Sequence, residues 1–345
     1  MSKDIIKGAV IGYGAAFNMG KHHANAMKGT RKIELVAVCD VDPKRTQAAK
    51  QDFPGINTYN DLDEMLVKEE FDLIAVVLPH NLHASVAVKC LKAGKHVIVE
   101  KPMCITIAEA TEMINTAREQ GKMLTVYHNR RWDADFNTLR RIIKKGLIGD
   151  VFHVEMFGGG YGRPNPNWWR SVKSISGGAF YDWGAHYLDW LLNIIPSHMV
   201  NVTGFYNPNL VWDDISNEDH VEAVIRFANG AMADVIMSSV AKATKPRWWV
   251  LGTKGAVISQ GGGFKVYSEV KGQPKEQVIP NDGNAWKDFY SCGFYENVVA
   301  HLTKGEELIV KPEEARRVIA IMDLAEKSSK THQAEAVPYE FEVKL

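Results

Sequence analysis

The stretch from Ile6 to Asp40 constrains this chain more than any other. An apolar run, Ile6–Ile11, leads into Gly12-Tyr13-Gly14; a helical pattern follows over Ala15–Lys28, and a second apolar run, Glu34–Asp40, ends on an acid. Glycines at such a turn let the backbone bend tightly and approach a ligand, and the helix behind them presents unpaired N–H groups and the positive end of its dipole. A strand, glycine turn, helix, strand and acid in this order make a nucleotide-binding half, with pyrophosphate at the helix N-terminus and ribose on the acid. The expected cradle is Gly12, Gly14, Ala15, Ala16 and Phe17, with Phe17 standing where a third glycine is usual. Asp40 lies 26 residues after Gly14 and can accept both ribose hydroxyls while repelling a 2′-phosphate, which favours NAD; Lys44 and Arg45 nearby could meet that phosphate and keep NADP open.

The rhythm continues past Asp40. Helical patterns over Pro43–Asp52, Leu62–Lys68, Leu82–Ala93 and Ile107–Gln120 alternate with apolar runs at Asp72–Leu78, His96–Glu100 and Met123–Tyr127. Continuous apolar runs are the mark of strands buried on both faces, so this part predicts a doubly wound parallel sheet of the Rossmann type. Beyond Tyr127 the pattern changes. Helices are expected at Asp133–Lys145 and Ala179–Ile194, with a strand at Val151–Met156 and a Gly/Pro/Asn-rich loop at Gly158–Asn167 between them. Strand-like segments then follow without helices, at Met199–Tyr206, His220–Phe227, Met232–Ser239, Trp248–Gly252, Ala256–Ser259 and Phe264–Val270. Two late helices near Ala285–Thr303 and Pro312–Ser328 close the chain. Such an order predicts an α+β domain with a large, mostly antiparallel sheet, and domains of 1–127 and 128–345. Helices can cover one face of that sheet. The other is expected to carry Val221, Ala223 and Ile225 as an apolar association surface, which implies a homodimer or homotetramer. The Trp248-Trp249 pair reads as packing or as part of a subunit interface.

Composition excludes several classes. Lys plus Arg and Asp plus Glu each number 41, so no net charge draws the chain to nucleic acid or to an anionic membrane. No apolar run approaches the ~18 residues of a membrane span, and the N-terminus lacks an apolar signal core. Cys39, Cys90, Cys104 and Cys292 form no C-x-x-C pair; Cys39 and Cys90 lie in apolar patterns as small buried residues. A reducing cytoplasm is the expected compartment. His22-His23 and His80-x-x-His83 come with no constellation of ligand spacing, so no metal is expected, and His23 reads as packing within the first helix.

Two further segments carry chemistry. Val97-Ile98-Val99-Glu100-Lys101-Pro102 places Lys101 at a strand end, the edge on which open parallel sheets bind ligands, and the following proline holds it extended. Eighty residues after Val97 comes Gly177-Gly178-Ala-Phe-Tyr-Asp182-Trp-Gly184-Ala-His186-Tyr-Leu-Asp189. Asp182 and His186 stand four apart and are expected on one helix face, with Asp189 continuing it; a His beside a carboxylate can act as a general base.

With the Gly12-x-Gly14 start and Pro79-x-x-x-His83, these motifs resemble the glucose-fructose oxidoreductase / inositol dehydrogenase / rhizopine-catabolism (Gfo/Idh/MocA) family, from about Lys7 to about Val337. The resemblance implies NAD(P)-dependent hydride transfer at a secondary alcohol of a sugar, sugar derivative or cyclitol. In it, His186 takes the hydroxyl proton, Lys101 hydrogen-bonds the same oxygen, and Asp182 positions the pair. It implies a cis bond between Lys101 and Pro102. It also places Pro79, Asn81, His83, Glu100, Lys101, Trp169 and Arg170 along the cofactor, and Lys101, Trp168, Arg170, Asp182 and His186 around the substrate; just past the Met123–Tyr127 strand, Asn129 is the candidate for the nicotinamide side of the cofactor and Arg131 for the substrate side. Residues 128–345 then form the substrate-binding and oligomerisation domain. Two other activities stay open: a redox-neutral lyase or glycosidase that retains its NAD, and a non-catalytic NAD-binding regulator. Having Lys101, Asp182 and His186 together speaks against the regulator.

Overall fold

The structure, a computed structural model, describes residues 5–270, 272–283 and 293–337. The chain folds as two compact units that do not follow a single cut in sequence. One comprises Met1–Cys104, Ala108–Asn129 and Tyr290–Ala315; the other Ile105–Ile107, Arg130–Phe289 and Arg316–Leu345.

In the first unit, strands β1 (Ile6–Ile11), β2 (Ile33–Cys39), β3 (Asn57–Tyr59), β4 (Leu73–Val76), β5 (His96–Val99) and β6 (Leu124–Val126) form a parallel sheet in the order β3-β2-β1-β4-β5-β6. Every residue of β4 is buried, as its unbroken apolar run requires. Helices α1 (Met19–Gly29), α2 (Pro43–Asp52), α3 (Leu62–Lys68), α4 (His80–Lys92) and α5 (Ile107–Glu119) join the strands. Local chemistry fixes their starts: Asp42 accepts the Lys44 N–H ahead of Pro43, and Asp61 accepts the Glu64 N–H. Between β1 and β4 the winding reverses, and the loops leaving those strands flank the crevice where such sheets bind ligands. Strand β3, three polar residues paired to β2, was not expected; nor, in the second unit, were the strands at Gln273–Pro280 and Glu335–Ala336.

Helix α1 begins at Met19, not at Ala15: residues 14–18 form an exposed loop closed by Asn18 in the left-handed conformation (φ 51°). Helix α9, here numbered after the second unit's helices, spans Phe294–Lys304 and returns to the first unit, where the Thr125 hydroxyl donates to Val310 O at 2.8 Å. The expected start of that helix, residues 284–292, lies outside the described residues, as does Cys292. Cys39 and Cys90 are buried as expected, and burial pushes both thiols up to about 12.

The second unit is built on a mixed sheet ordered β14-β13-β12-β11-β7-β10-β9-β8-β15. Its strands are β7 (Val151–Gly159), β8 (Met199–Pro208), β9 (Glu218–Phe227), β10 (Met232–Ser238), β11 (Trp248–Gly252), β12 (Gly255–Gln260), β13 (Gly263–Val270), β14 (Gln273–Pro280) and β15 (Glu335–Ala336). Among the described residues, only the β7–β10 pairing is parallel. Helices α6 (Ala134–Lys144), α7 (Lys173–Ser176), α8 (Trp183–Ile194) and α10 (Pro312–Thr331) accompany it. Helix α8 packs on β7 and β10, α6 on β13, and α10 reaches the backbone of β8 at Gly204.

Val221, Ala223 and Ile225 face this helical layer and are fully buried. The expectation that they form the open face is wrong by one residue of register, which inverts a strand. His220, Glu222, Val224 and Arg226 are the outward set. Among the described residues, no helix is long and apolar enough to cross a membrane.

Candidate functional site

The glycine loop is shaped by backbone contact. Gly12 has φ 95°, and a Cβ there would lie 1.8 Å from Val77 O. Gly14 has open space around its α-carbon, and Gly14, Ala15 and Ala16 are exposed. Phe17 is not the third contact: it is 56% exposed in the loop. Close helix–strand approach, the usual task of the third glycine, falls to Gly20, whose Cβ would stand 2.2 Å from Gly12 O. A search for the usual spacing misses Gly20 because the loop is longer.

Asp40 follows β2, where the sequence places it. One carboxylate oxygen accepts the Tyr13 N–H at 2.6 Å and the other the Asp42 N–H at 2.9 Å. A carboxylate offers about four acceptor positions, so ribose hydroxyls can still be taken. The Tyr13 hydroxyl donates to Asp52 at 2.7 Å, and Asp52 meets Lys21 at 2.6 Å, tying the loop to α1 and α2. Exposed loop amides, an open Gly14 and an anchored acid at the end of β2 fit a dinucleotide.

Pro79 is the N-cap of α4, which starts at His80, two residues before its expected start; Asn81 is exposed in the first turn. His83 is fully buried, with Nδ1 2.7 Å from Pro102 O and Nε2 2.8 Å from Leu78 O. Its ring ties the loop after β4 to the loop after β5, whereas the resemblance placed it along the cofactor.

Glu100 is the buried anchor of the next motif. It accepts the Lys101 N–H at 3.0 Å and lies 2.9 Å from His23 Nε2. Burial pushes its carboxyl up, but the His23 hydrogen bond, attraction to His23 and Lys101, and the Lys101 N–H outweigh it and hold the group below the usual range. Lys101 is half-buried, and its bond to Pro102 is cis. Asn129 is buried at the end of this unit.

In the second unit, α8 is apolar on nearly every side and buried along most of its length. Trp190 fixes it, lying 5.9 Å from the Phe136 ring and 5.4 Å from Trp248, with its N–H on Arg130 O at 2.9 Å. His186 sits on this helix, buried, its ring 5.5 Å from Trp183 and 6.3 Å from Trp190. Asp182 is not within the helix. Ala179–Tyr181 form a separate 3-10 turn, and Asp182 is the break before α8, with ψ −87°. Gly177 and Gly178, at φ 89° and 124°, make the preceding bend that only glycine adopts readily. Asp182 and His186 therefore flank a helix start; they do not stack one turn apart inside one helix.

Arg170 lies 3.8 Å from Asp182 and between two indoles, 4.9 Å from the Trp168 ring and 4.7 Å from Trp169. The sequence named all four residues, and the structure brings them together. Arg131, expected at the substrate, is spent elsewhere: its Nε and Nη2 donate to Asp189 at 2.9 and 2.6 Å, with both side chains almost wholly buried. Neighbouring Arg130 pairs with Asp133 at 3.1 Å.

Residues 6–128 match the family model described as "Oxidoreductase family, NAD-binding Rossmann fold", and residues 136–258 match the GFO/IDH/MocA C-terminal domain. A scyllo-inositol 2-dehydrogenase (NADP(+)), IolW of Bacillus subtilis, is 26% identical over 95% of this chain and 94% of its own. The D-glucoside 3-dehydrogenase of Escherichia coli is 28% identical over 67% of this chain and 70% of its own. Among solved structures, an NAD-binding protein from Listeria innocua superposes with a TM-score of 0.82 at 27% identity, covering 97% of each chain.

Proposed function

Because the chain belongs to the Gfo/Idh/MocA oxidoreductase family and carries its NAD-binding domain, we propose that it oxidises or reduces a secondary alcohol of a sugar, sugar derivative or cyclitol. NAD, when bound, supplies the acceptor or donor of hydride. Gly12, Gly14, Ala15 and Ala16 would hold its pyrophosphate and Asp40 its adenosine ribose. His186 accepts the hydroxyl proton at a ring nitrogen. Lys101 donates a hydrogen bond to the same oxygen as negative charge develops there. Asp182, beside the indole-flanked Arg170, orients a neighbouring hydroxyl, and the faces of Trp168 and Trp169 suit the C–H faces of a ring. The supporting observation is the C-terminal end of β5, where a buried, ionised Glu100 holds the Lys101 backbone. The anchored Asp40 carboxylate, which repels a 2′-phosphate, supports NAD over NADP. The relatives named for scyllo-inositol and D-glucosides support the substrate class.

The reading is tested by following NADH and NADPH absorbance with scyllo-inositol, methyl β-D-glucopyranoside and a panel of other polyols. Turnover of at least one, faster with NAD, is expected; no turnover of any with either cofactor contradicts it.

We also propose that the outward face of the large sheet joins copies of the chain. It exposes Phe205, Met232, Trp249, Tyr267 and Val278, whereas Trp248 points inward and is fully buried. Exposed apolar side chains along one sheet face suit association with another copy. A dimer or tetramer by light scattering is expected, and a monomer at micromolar concentration contradicts it.

A further inference from the structure

A line of buried polar groups runs through the first unit from Lys101 to the segment that returns from the end of the chain. The Lys101 N–H donates to Glu100 Oε2 at 3.0 Å, Glu100 Oε1 lies 2.9 Å from His23 Nε2, and His23 Nδ1 lies 2.5 Å from the Tyr295 hydroxyl. His23 and Tyr295 are inaccessible to solvent. His23 comes from α1, Tyr295 from α9, and Glu100 from the end of β5.

The hydrogen-bond directions follow from the chemistry of the groups. An ionised carboxylate only accepts, so His23 Nε2 carries the hydrogen that faces Glu100. Nδ1 then meets the Tyr295 hydroxyl, which donates to the ring when it is neutral and accepts from it when it carries the charge that draws on Glu100. In either form Tyr295 fixes the rotation of the ring so that its Nε2–H faces Glu100. Apolar side chains could fill the same space without the cost of burying a carboxylate. What the polar line adds is a fixed position and rotation for the peptide between Glu100 and Lys101, from which the amine projects. The ring of Tyr127 packs 4.4 Å from that of His23 and keeps the imidazole from turning.

We infer that His23 is a positioning residue for Lys101, acting through Glu100, and that Tyr295 completes the brace. The inference rests on the proposed role of Lys101 at the reacting oxygen. It gives the returning segment, 293–315, a part in the chemistry beyond closing the core.

The test uses the full-length protein and whichever of scyllo-inositol or methyl β-D-glucopyranoside it turns over with NAD. His23→Phe removes both hydrogen bonds, Tyr295→Phe removes only one hydroxyl, and His23→Gln keeps a donor for Glu100. Misplacing a reacting group costs turnover far more than ligand binding, so kcat should fall at least ~10-fold in His23→Phe and ~3- to 10-fold in Tyr295→Phe, and return to within ~3-fold in His23→Gln. KM for NAD and Kd for NADH should stay within ~2-fold throughout. If His23→Phe does not fold, Tyr295→Phe carries the comparison. Loss of melting temperature with kcat unchanged in Tyr295→Phe and in any folded His23→Phe would overturn the brace and leave these residues as packing alone. Lys101→Ala is run beside them. If it turns over like the wild type, the role of Lys101 itself fails, a result distinct from failure of the brace.

Discussion

A Cβ on Gly20 would stand 2.2 Å from the carbonyl oxygen of Gly12, so α1 and the loop after β1 meet backbone to backbone. Neither side of that contact can swing away as a flexible side chain could. Gly20→Ala is therefore expected to cost ~1–3 kcal/mol in urea unfolding, as overpacking does, and to weaken NADH binding at least ~10-fold. Gly14→Ala is the contrast. Nothing lies within 4 Å of that Cβ, so stability should stay within ~0.5 kcal/mol while NADH binding still weakens. Urea unfolding separates the two, with fluorescence titration checking NADH binding in each; equal effects of both variants on stability would contradict the assignment.

Arg131 and Asp189 make a two-pronged ion pair inside the second unit. Removing one partner leaves a buried charge uncompensated, at a cost of ~3–5 kcal/mol. Arg131→Ala should accordingly lower the urea midpoint sharply. Unchanged stability with a raised substrate KM would instead return Arg131 to the substrate.

Acid should destabilise the first unit through His22. Burial, then the charge of nearby His23, lowers its pKa from 6.5 to about 4, and Nε2 lies 2.7 Å from the Tyr127 hydroxyl. A base whose folded pKa is depressed gives stability that is complete above 6.5 and lost as pH falls from there toward 4. The loss is at most ~3 kcal/mol. His22→Gln, which cannot charge, should flatten urea midpoints between pH 6.5 and 4; an identical slope in the variant would rule His22 out as the source.

The open sheet face has the opposite sensitivity. Asp234 lies beside Glu155 on the neighbouring strand, and burial, then Glu222 and Glu155, raises its pKa to about 7. A carboxyl with a raised folded pKa is penalised increasingly as pH climbs from about 4 to 7. Asp234→Asn should therefore be neutral near pH 4 and stabilising by ~1–2 kcal/mol at pH 8, a figure reduced for the group's partial solvation. Denaturation of both proteins at the two pH values checks it, and a gain of the same size at pH 4 would contradict it.

Much of the fold could be read because its signals are local. Leu73–Val76 is apolar without a break and Ile6–Ile11 is interrupted only by Lys7, and Pro43 and Asp42 mark the start of α2 without reference to anything distant. Strand β3 escaped because pairing to β2, not its own polar residues, makes it a strand. The face of β9 was inverted because alternation identifies two faces but not which one the helices cover. Motif and spacing foretold only placement: Asp40 after β2, Lys101 after β5, His186 on a helix, and Trp168, Trp169, Arg170 and Asp182 near one another. Gly20 was hidden by the longer loop. The fates of Arg131, His83 and His23 depend on partners 58, 19 and 272 residues away in sequence, Asp189, Pro102 and Tyr295, which no local pattern announces.

The most direct measurement is steady-state kcat for Lys101→Ala, His186→Ala and the double variant, with NADH affinity measured in parallel. If the amine and the imidazole serve one substrate oxygen, each single change should lower kcat at least ~10²-fold with NADH affinity nearly intact, and the double variant should lose much less than the product of the two. Near-wild-type turnover in either single variant would contradict the assignment.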